Sequence, residues 1–110
     1  SELIRSEFFS ALHRRYRNLE INETELDETL AEFDSSLEQY QFCPLSTDVL
    51  REAERLLRNE GRTLPLRTLD SLHLATFRVF GDPTWTFVST DDQLLTIAEA
   101  LGHPVLNPLR

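Results

Sequence analysis

Three acidic residues fall at positions where the sequence pattern predicts burial or a strand end rather than open solvent. Asp70 lies among leucines and phenylalanines that recur at helical spacing, so it shares the apolar side of a predicted helix. Asp91 follows the aromatic and β-branched residues 85–89, and Glu7 borders the apolar stripe of the first predicted helix. Carboxylates in such places need a partner, a proton or a cation, because burying an unpaired charge costs free energy.

Together these carboxylates favour hard-cation chemistry. Carboxylate oxygens without a cluster of Cys or His select Mg²⁺ or Mn²⁺ over Zn²⁺. Such ions activate water and stabilise the leaving oxygen in phosphodiester hydrolysis. The sequence has no Gly-rich phosphate loop, no G-x-S-x-G and no H-E-x-x-H motif, so other hydrolytic chemistries lack comparable support.

Each carboxylate also has an ordinary structural explanation, and the pattern alone leaves it open. Asp91 could simply cap the following helix. Asp70 could pair with Arg67 or with His73, one turn further along the helix. Glu7 could fold its aliphatic stem over the edge of the core.

The elements that must position these residues follow from apolar periodicity and from capping and breaking residues. Asn22 with Glu25 predicts a capping box, and Ser46 or Thr47 predicts a helix cap. Pro65 predicts a helix entry, and Gly61 and Gly102 predict helix ends. The predicted helices cover residues 1–19, 22–40, 46–61 and 64–80, and a further helix runs from Asp91 to Gly102. Residues 85–89 and 104–106 are predicted strands, and residues 41–45 a brief strand or an extended connector. Helices alternating with strands in the second half are typical of a parallel α/β sheet. The predicted core faces of the helices include Leu50, Leu69 and Phe80.

Composition bounds the class of protein. The 110 residues predict one domain with its own core. A net charge of −8 argues against sequence-blind binding of duplex nucleic acid, which needs many cations facing the phosphates. No apolar run approaches the ~20 residues of a membrane span, and the single Cys43 cannot form an internal disulfide, so we expect a cytoplasmic protein. Arginines recur along the third helix, where either pairing with neighbouring glutamates or contact with substrate phosphate could explain them: Arg51, Arg55, Arg58 and Arg62.

Four segments resemble the motifs of PIN-domain ribonucleases, and the small size is most similar to VapC-type toxins of toxin–antitoxin pairs. Residues 66–75, LRTLDSLHLA, closely match the family's L-R-x-L-D-x-L-H-L-A signature. Residues 1–7 with the following Ala-Leu pair resemble the segment that carries the first-helix glutamate, and residues 87–91, FVSTD, its strand end. Residues 102–108, GHPVLNP, are similar to the closing segment.

The resemblance implies a three-layer α/β fold with a short parallel sheet and several helices, and a metal-dependent endoribonuclease of a type II toxin–antitoxin system. Mg²⁺ or Mn²⁺ would be held by an acidic quartet, of which Glu7, Asp70 and Asp91 match three members. Ser89 matches a residue that helps orient the acidic site, and His73 a histidine that supports the helix. The implied partners are an RNA substrate, a cognate antitoxin and a second copy in a homodimer.

The start of the chain departs from the family pattern. PIN domains usually begin with a strand reading approximately L-D-T-S that supplies the first aspartate, and this chain opens on a helix. We therefore expect residues 1–110 to form a single PIN-like domain lacking its N-terminal strand or strands, with weak activity or none by itself and a tendency to self-associate. The alternative function is a non-catalytic helical interaction or dimerisation module.

Overall fold

The computed structural model describes residues 1–109 and is mixed α/β, mostly helical with a short parallel sheet. Its helices are α1 (Leu3–Arg17), α2 (Glu23–Ser36), α3 (Thr47–Asn59), α4 (Thr68–Phe80) and α5 (Asp92–Ala100). Its strands are β1 (Phe87–Val88) and β2 (Val105–Leu106), and short 3₁₀ turns follow α2 and α3 at Leu37–Gln39 and Glu60–Arg62. This architecture confirms the predicted α/β class with a short parallel sheet.

The chain divides into two compact units. The N-terminal unit comprises Glu2–Pro44 and carries α1 and α2. The C-terminal unit runs from Leu45 to the end of the described chain, with Ser1 also assigned to it, and carries the other helices and both strands. The prediction of a single domain stays a prediction.

In the N-terminal unit, aromatic packing and a capping box define the two helices. The side chain of Asn22 accepts a hydrogen bond from the backbone N–H of Glu25, and the Glu25 side chain accepts one from the N–H of Asn22. This reciprocal arrangement, predicted from the sequence, starts α2. Phe8 of α1 stacks on Phe33 of α2 with ring centroids 4.1 Å apart, which joins the two helices.

In the C-terminal unit, α3 and α4 pack along each other and share one core with β1 and α5. The buried apolar residues of this core are Val49, Ala53, Leu56, Leu74, Ala75, Phe87, Leu94, Leu95, Ile97 and Ala98. Ser46 caps α3 by accepting a hydrogen bond from the N–H of Val49, as the sequence predicts. The core thus fixes the start of α4 and the end of β1, the two places that carry Asp70 and Asp91.

The two strands form a parallel pair joined through α5. Phe87 pairs with Val105 and Val88 with Leu106. The intervening α5 ends at Ala100, and Gly102, just beyond its C-cap Leu101, adopts a φ of 90°. The N–H of Gly102 bonds to the carbonyl of Glu99, and the next N–H to that of Ala98. This is a Schellman motif, in which glycine takes the left-handed position without a steric penalty. The predicted stop at Gly102 and the predicted last strand are confirmed.

Two helix boundaries predicted from the sequence are wrong. The helix expected from residue 64 begins at Thr68, and Arg67 is its N-cap with an extended backbone. Pro65 lies before the helix rather than in its first turn. Gly61 does not cap α3, which ends at Asn59 and continues as a 3₁₀ turn through Glu60–Arg62.

Several residues assigned to the core lie at the surface instead. Leu50 on α3 is exposed. Leu69 and Phe80 are exposed because the buried stripe of α4 passes through Asp70, Ser71 and Leu74. The predicted strand 85–89 shortens to Phe87–Val88. Since a two-stranded sheet has one face on the core, its side chains alternate: Phe87 is buried and Val88 exposed. Residues 41–45 form the extended connector rather than a strand.

Candidate functional site

Asp70 lies in the first turn of α4 and is buried, as the helical pattern predicts. Its carboxylate oxygen Oδ2 accepts a hydrogen bond from Nε of Arg67 at 3.1 Å, and its side chain is 12% exposed. Arg67 precedes it by one helical turn, so the pairing needs no distant contact. The structural alternative weighed for this residue, an ion pair with Arg67, is therefore present.

Asp91 lies just beyond β1 and is the N-cap of α5. Its Oδ1 accepts hydrogen bonds from the backbone N–H groups of Gln93, at 3.0 Å, and Leu94, at 3.3 Å. The N–H of Asp91 donates to Oγ of Ser89 at 3.0 Å. Asp91 therefore has one carboxylate oxygen engaged by the helix start, and Ser89 fixes the backbone that carries it.

Arg67 brings the two aspartates together. Its Nη2 lies 3.9 Å from Oδ2 of Asp91, while its Nε bonds to Oδ2 of Asp70. Two carboxylates from different elements of the C-terminal unit thus face a single guanidinium cation. The sequence predicts both acids and a possible pair of Arg67 with Asp70, because these two residues are three positions apart. It does not predict that Arg67 also approaches Asp91, which is distant in sequence.

The structure places the other predicted site residues as follows. Glu7 is partly buried on α1 of the N-terminal unit, and His73 is partly buried on α4, one turn after Asp70. Asp92, the neighbour of Asp91 and not among the predicted site residues, opens α5, and its Oδ1 accepts a hydrogen bond from Nδ2 of Asn107 at 3.1 Å.

Within residues 1–109 no group of three or more His, Cys, Asp or Glu side chains is arranged to hold a metal ion. The predicted three-acid ligand set stays a prediction. Asp70 and Asp91 nevertheless fit a hard cation, since Mg²⁺ is commonly held by one or two carboxylates and keeps several waters.

A second polar cluster, which the sequence analysis did not identify, joins α3, α4 and the segment before β2. Glu52 accepts hydrogen bonds from Arg55 at 2.6 and 2.9 Å and from Nε of Arg78 at 2.9 Å. Hydrogen bonding from Arg55, reinforced by Arg78, lowers the pKa of Glu52. Nη1 of Arg78 also lies 3.0 Å from Nε2 of His103. Burial, together with the charge of Arg78, lowers the pKa of His103.

Two of the four arginines along α3 and the turn after it pair with neighbouring glutamates, which confirms the pairing explanation in part. Arg51 pairs with Glu54 at 3.3 Å, and Arg55 pairs with Glu52. Arg58 and Arg62 make no ion pair with any residue that the structure describes, and they line an open groove beside the paired arginines. Contact with phosphate therefore stays a prediction for this groove.

One known protein matches part of the chain. A stretch of 63 residues, 56% of this chain, is 40% identical to Ribonuclease VapC46 of Mycobacterium tuberculosis (strain ATCC 25618 / H37Rv) and covers 48% of that protein. The chain thus spans about half the length of the curated relative it matches. No protein-family model matches the chain, and no solved structure does either.

This partial identity is to a protein named a ribonuclease of the VapC type, so it supports the resemblance drawn from the sequence motifs.

Among the described helices, none has the length and apolar character needed to cross a membrane.

Proposed function

We propose that the protein is a VapC-type ribonuclease, the toxin of a type II toxin–antitoxin pair, which hydrolyses RNA phosphodiesters with Mg²⁺ or Mn²⁺ on a PIN-like fold. The observation that carries the proposal is the approach of Asp70 and Asp91 to one cation, the guanidinium of Arg67. The partial identity to a protein named a ribonuclease supports the class of reaction. The LRTLDSLHLA segment around Asp70 supports the family.

In this proposal Asp70 and Asp91 would hold the metal, and Oδ2 of each faces Arg67 in the structure. Oδ1 of Asp91 accepts the hydrogen bonds from the start of α5, which leaves Oδ2 of Asp91 as the oxygen for a metal ion. Ser89 holds the backbone of Asp91, and the buried start of α4 holds Asp70, so both carboxylates have fixed positions. When bound there, a divalent cation supplies Lewis-acid activation of water and stabilisation of the leaving oxygen. Glu7 is the proposed third acid of the family pattern, and His73 a supporting residue.

The partners follow from the same proposal. An RNA substrate, a cognate antitoxin, a homodimer and a cytoplasmic location belong to the toxin class and are proposals for this chain. They concern the whole protein, and this chain corresponds to about half of its curated relative.

One observation favours the alternative, a non-catalytic interaction module. Arg67 satisfies the buried carboxylate of Asp70 within α4, so the burial of Asp70 does not itself require a metal. A purely structural ion pair would give the same contact. The two functions differ in one measurable property, hydrolysis of RNA.

The experiment measures RNA cleavage by the protein in Mn²⁺ and in EDTA. We expect weak cleavage in Mn²⁺ that EDTA abolishes. Asp70→Asn should reduce cleavage about a hundredfold or more, since changes even outside a metal's ligand shell cost 10–100-fold. Glu99→Gln, an exposed acid on α5, is the matched control.

Cleavage that survives both EDTA and Asp70→Asn would contradict the proposed metal site. A folded protein that binds a partner but never cleaves RNA would favour the interaction module instead.

A further inference from the structure

We propose that Arg67 is a built-in competitor of the metal ion: its guanidinium and a divalent cation bind the same two carboxylate oxygens, so that metal binding requires Arg67 to leave. This inference rests on the metal site of the proposed function and concerns how that site is regulated. It assigns Arg67 a role that the family signature around Asp70 does not explain.

The geometry of the oxygens carries the first step. Arg67 approaches Oδ2 of Asp70 through Nε at 3.1 Å and Oδ2 of Asp91 through Nη2 at 3.9 Å. Oδ1 of Asp91 is already occupied by two backbone N–H groups. A cation that bridges the aspartates must therefore use Oδ2 of Asp91, the oxygen that faces Arg67. Two positive groups cannot share that space at contact distance without strong repulsion.

The side chain of Arg67 can leave the two aspartates without disturbing the start of α4. Its backbone is the N-cap of α4, but its side chain makes no capping hydrogen bond, and 72% of that side chain is exposed. The guanidinium can therefore turn into solvent while the helix start stays in place. Water screens the ion pairs of an exposed guanidinium, so a divalent cation that keeps several bound waters can compete with Arg67.

The burial of Asp70 explains why a competitor is present. Its side chain is 12% exposed, and a buried carboxylate without a partner is costly. Asp91 lies close enough to share the same guanidinium, so the two negative charges repel each other unless a cation lies between them. Arg67 supplies that charge before metal binds, and the metal supplies it afterwards. Metal binding therefore replaces the guanidinium of Arg67 as the positive charge between the two aspartates.

The test is Mn²⁺ binding by isothermal titration calorimetry, with the wild-type chain and three variants. Arg67→Ala should bind Mn²⁺ about three- to tenfold more tightly, as expected for release from two ion pairs whose guanidinium is exposed. Arg67→Lys keeps a competing cation and should lie close to wild type. Arg62→Ala removes an equal charge from the α3 groove and should change the affinity less than twofold.

A second readout separates competition from simple loss of charge. Without metal, Arg67→Ala should melt at a lower temperature than wild type, because Asp70 loses its partner. Saturating Mn²⁺ should close that gap, so the stabilisation by Mn²⁺ is larger in the variant. A merely structural Arg67 would leave the gap unchanged at every metal concentration.

Equal or weaker Mn²⁺ binding by Arg67→Ala would overturn the inference, as would an equal gain in Arg62→Ala. Failure of both wild type and Arg67→Ala to bind Mn²⁺ would overturn it too. The first two results leave the proposed ribonuclease function intact, whereas an absence of Mn²⁺ binding also counts against its metal site. The function itself is judged separately, by RNA cleavage and its loss in Asp70→Asn.

Discussion

Nε of Arg78 donates a hydrogen bond to Oε1 of Glu52 at 2.9 Å, which ties α4 to α3. Both side chains are largely covered, at 27% and 19% exposure, and the residues are far apart in sequence. Arg55 holds the same carboxylate from within α3. Because α4 carries Asp70, this contact helps fix the helix on which the candidate site depends.

Glu52→Gln should destabilise the fold by about 1–3 kcal/mol, because Arg78 loses a charged, partly buried hydrogen-bond acceptor. The measurement is urea unfolding near neutral pH. Glu54→Gln is the matched control: its pair with Arg51 is exposed, so its loss should cost less than about 1 kcal/mol. Equal effects of the two substitutions would show that the Arg78 contact contributes nothing beyond a surface pair.

His103 should make the fold less stable in mild acid. Burial, with the nearby charge of Arg78, holds its pKa in the folded protein below the ordinary 6.5. The neutral ring is therefore favoured by folding, and this contribution is complete above the unfolded pKa. As pH falls below about 6.5, the unfolded chain binds the proton first, and stability is lost until the folded pKa is passed.

The measurement compares urea unfolding at about pH 7.5 and about pH 5.5 in wild type and in His103→Gln. Glutamine keeps an acceptor for Nη1 of Arg78 but does not titrate, so the variant should lose less stability between the two pH values. The same loss in both proteins would assign the acid sensitivity to other groups.

Gly81 should not tolerate alanine. A Cβ atom at this position would collide with the carbonyl oxygen of Phe77, which also accepts the N–H of Gly81 at 2.8 Å. Gly81→Ala should therefore destabilise by about 1–3 kcal/mol, as overpacking commonly does. Thermal unfolding is the measurement.

Gly61 provides the control for that substitution. A Cβ there would meet its nearest neighbour, the carbonyl oxygen of Leu56, at an ordinary 3.8 Å. Gly61→Ala should be neutral or stabilising by about 0.4–1 kcal/mol, since alanine restricts the unfolded chain. A larger loss at Gly61 than at Gly81 would contradict this account of the α4 terminus.

The parts of the fold that could be predicted from the sequence depend on local chemistry. The capping box at Asn22, the cap at Ser46 and the turn at Gly102 each involve residues within a few positions of one another. Asp91 could be located as a strand-end helix cap for the same reason, and it is one. Short-range hydrogen bonds leave a pattern in the chain because the donor and the acceptor keep a fixed spacing.

What could not be predicted depends on contacts between distant segments. The start of α4 at Thr68 makes Arg67 a cap residue whose side chain reaches Asp91, and periodicity carries no information about such a contact. The same holds for the meeting of Glu52, Arg78 and His103. Leu69 is exposed because a different face of α4 meets α3. The apolar stripe of the sequence is wider than that face, so the stripe alone does not show which residues are buried.

The central claim, a cation site at Asp70 and Asp91, is tested most directly by adding traces of Mn²⁺ to ¹⁵N-labelled protein and recording amide spectra. Paramagnetic broadening falls steeply with distance, so it locates the bound ion. We predict that the amides of Asp70 and Asp91 broaden first and that Asp70→Asn abolishes the effect. Broadening centred on the exposed acids of α2, such as Glu28 and Glu32, or none near Asp70, would contradict the account.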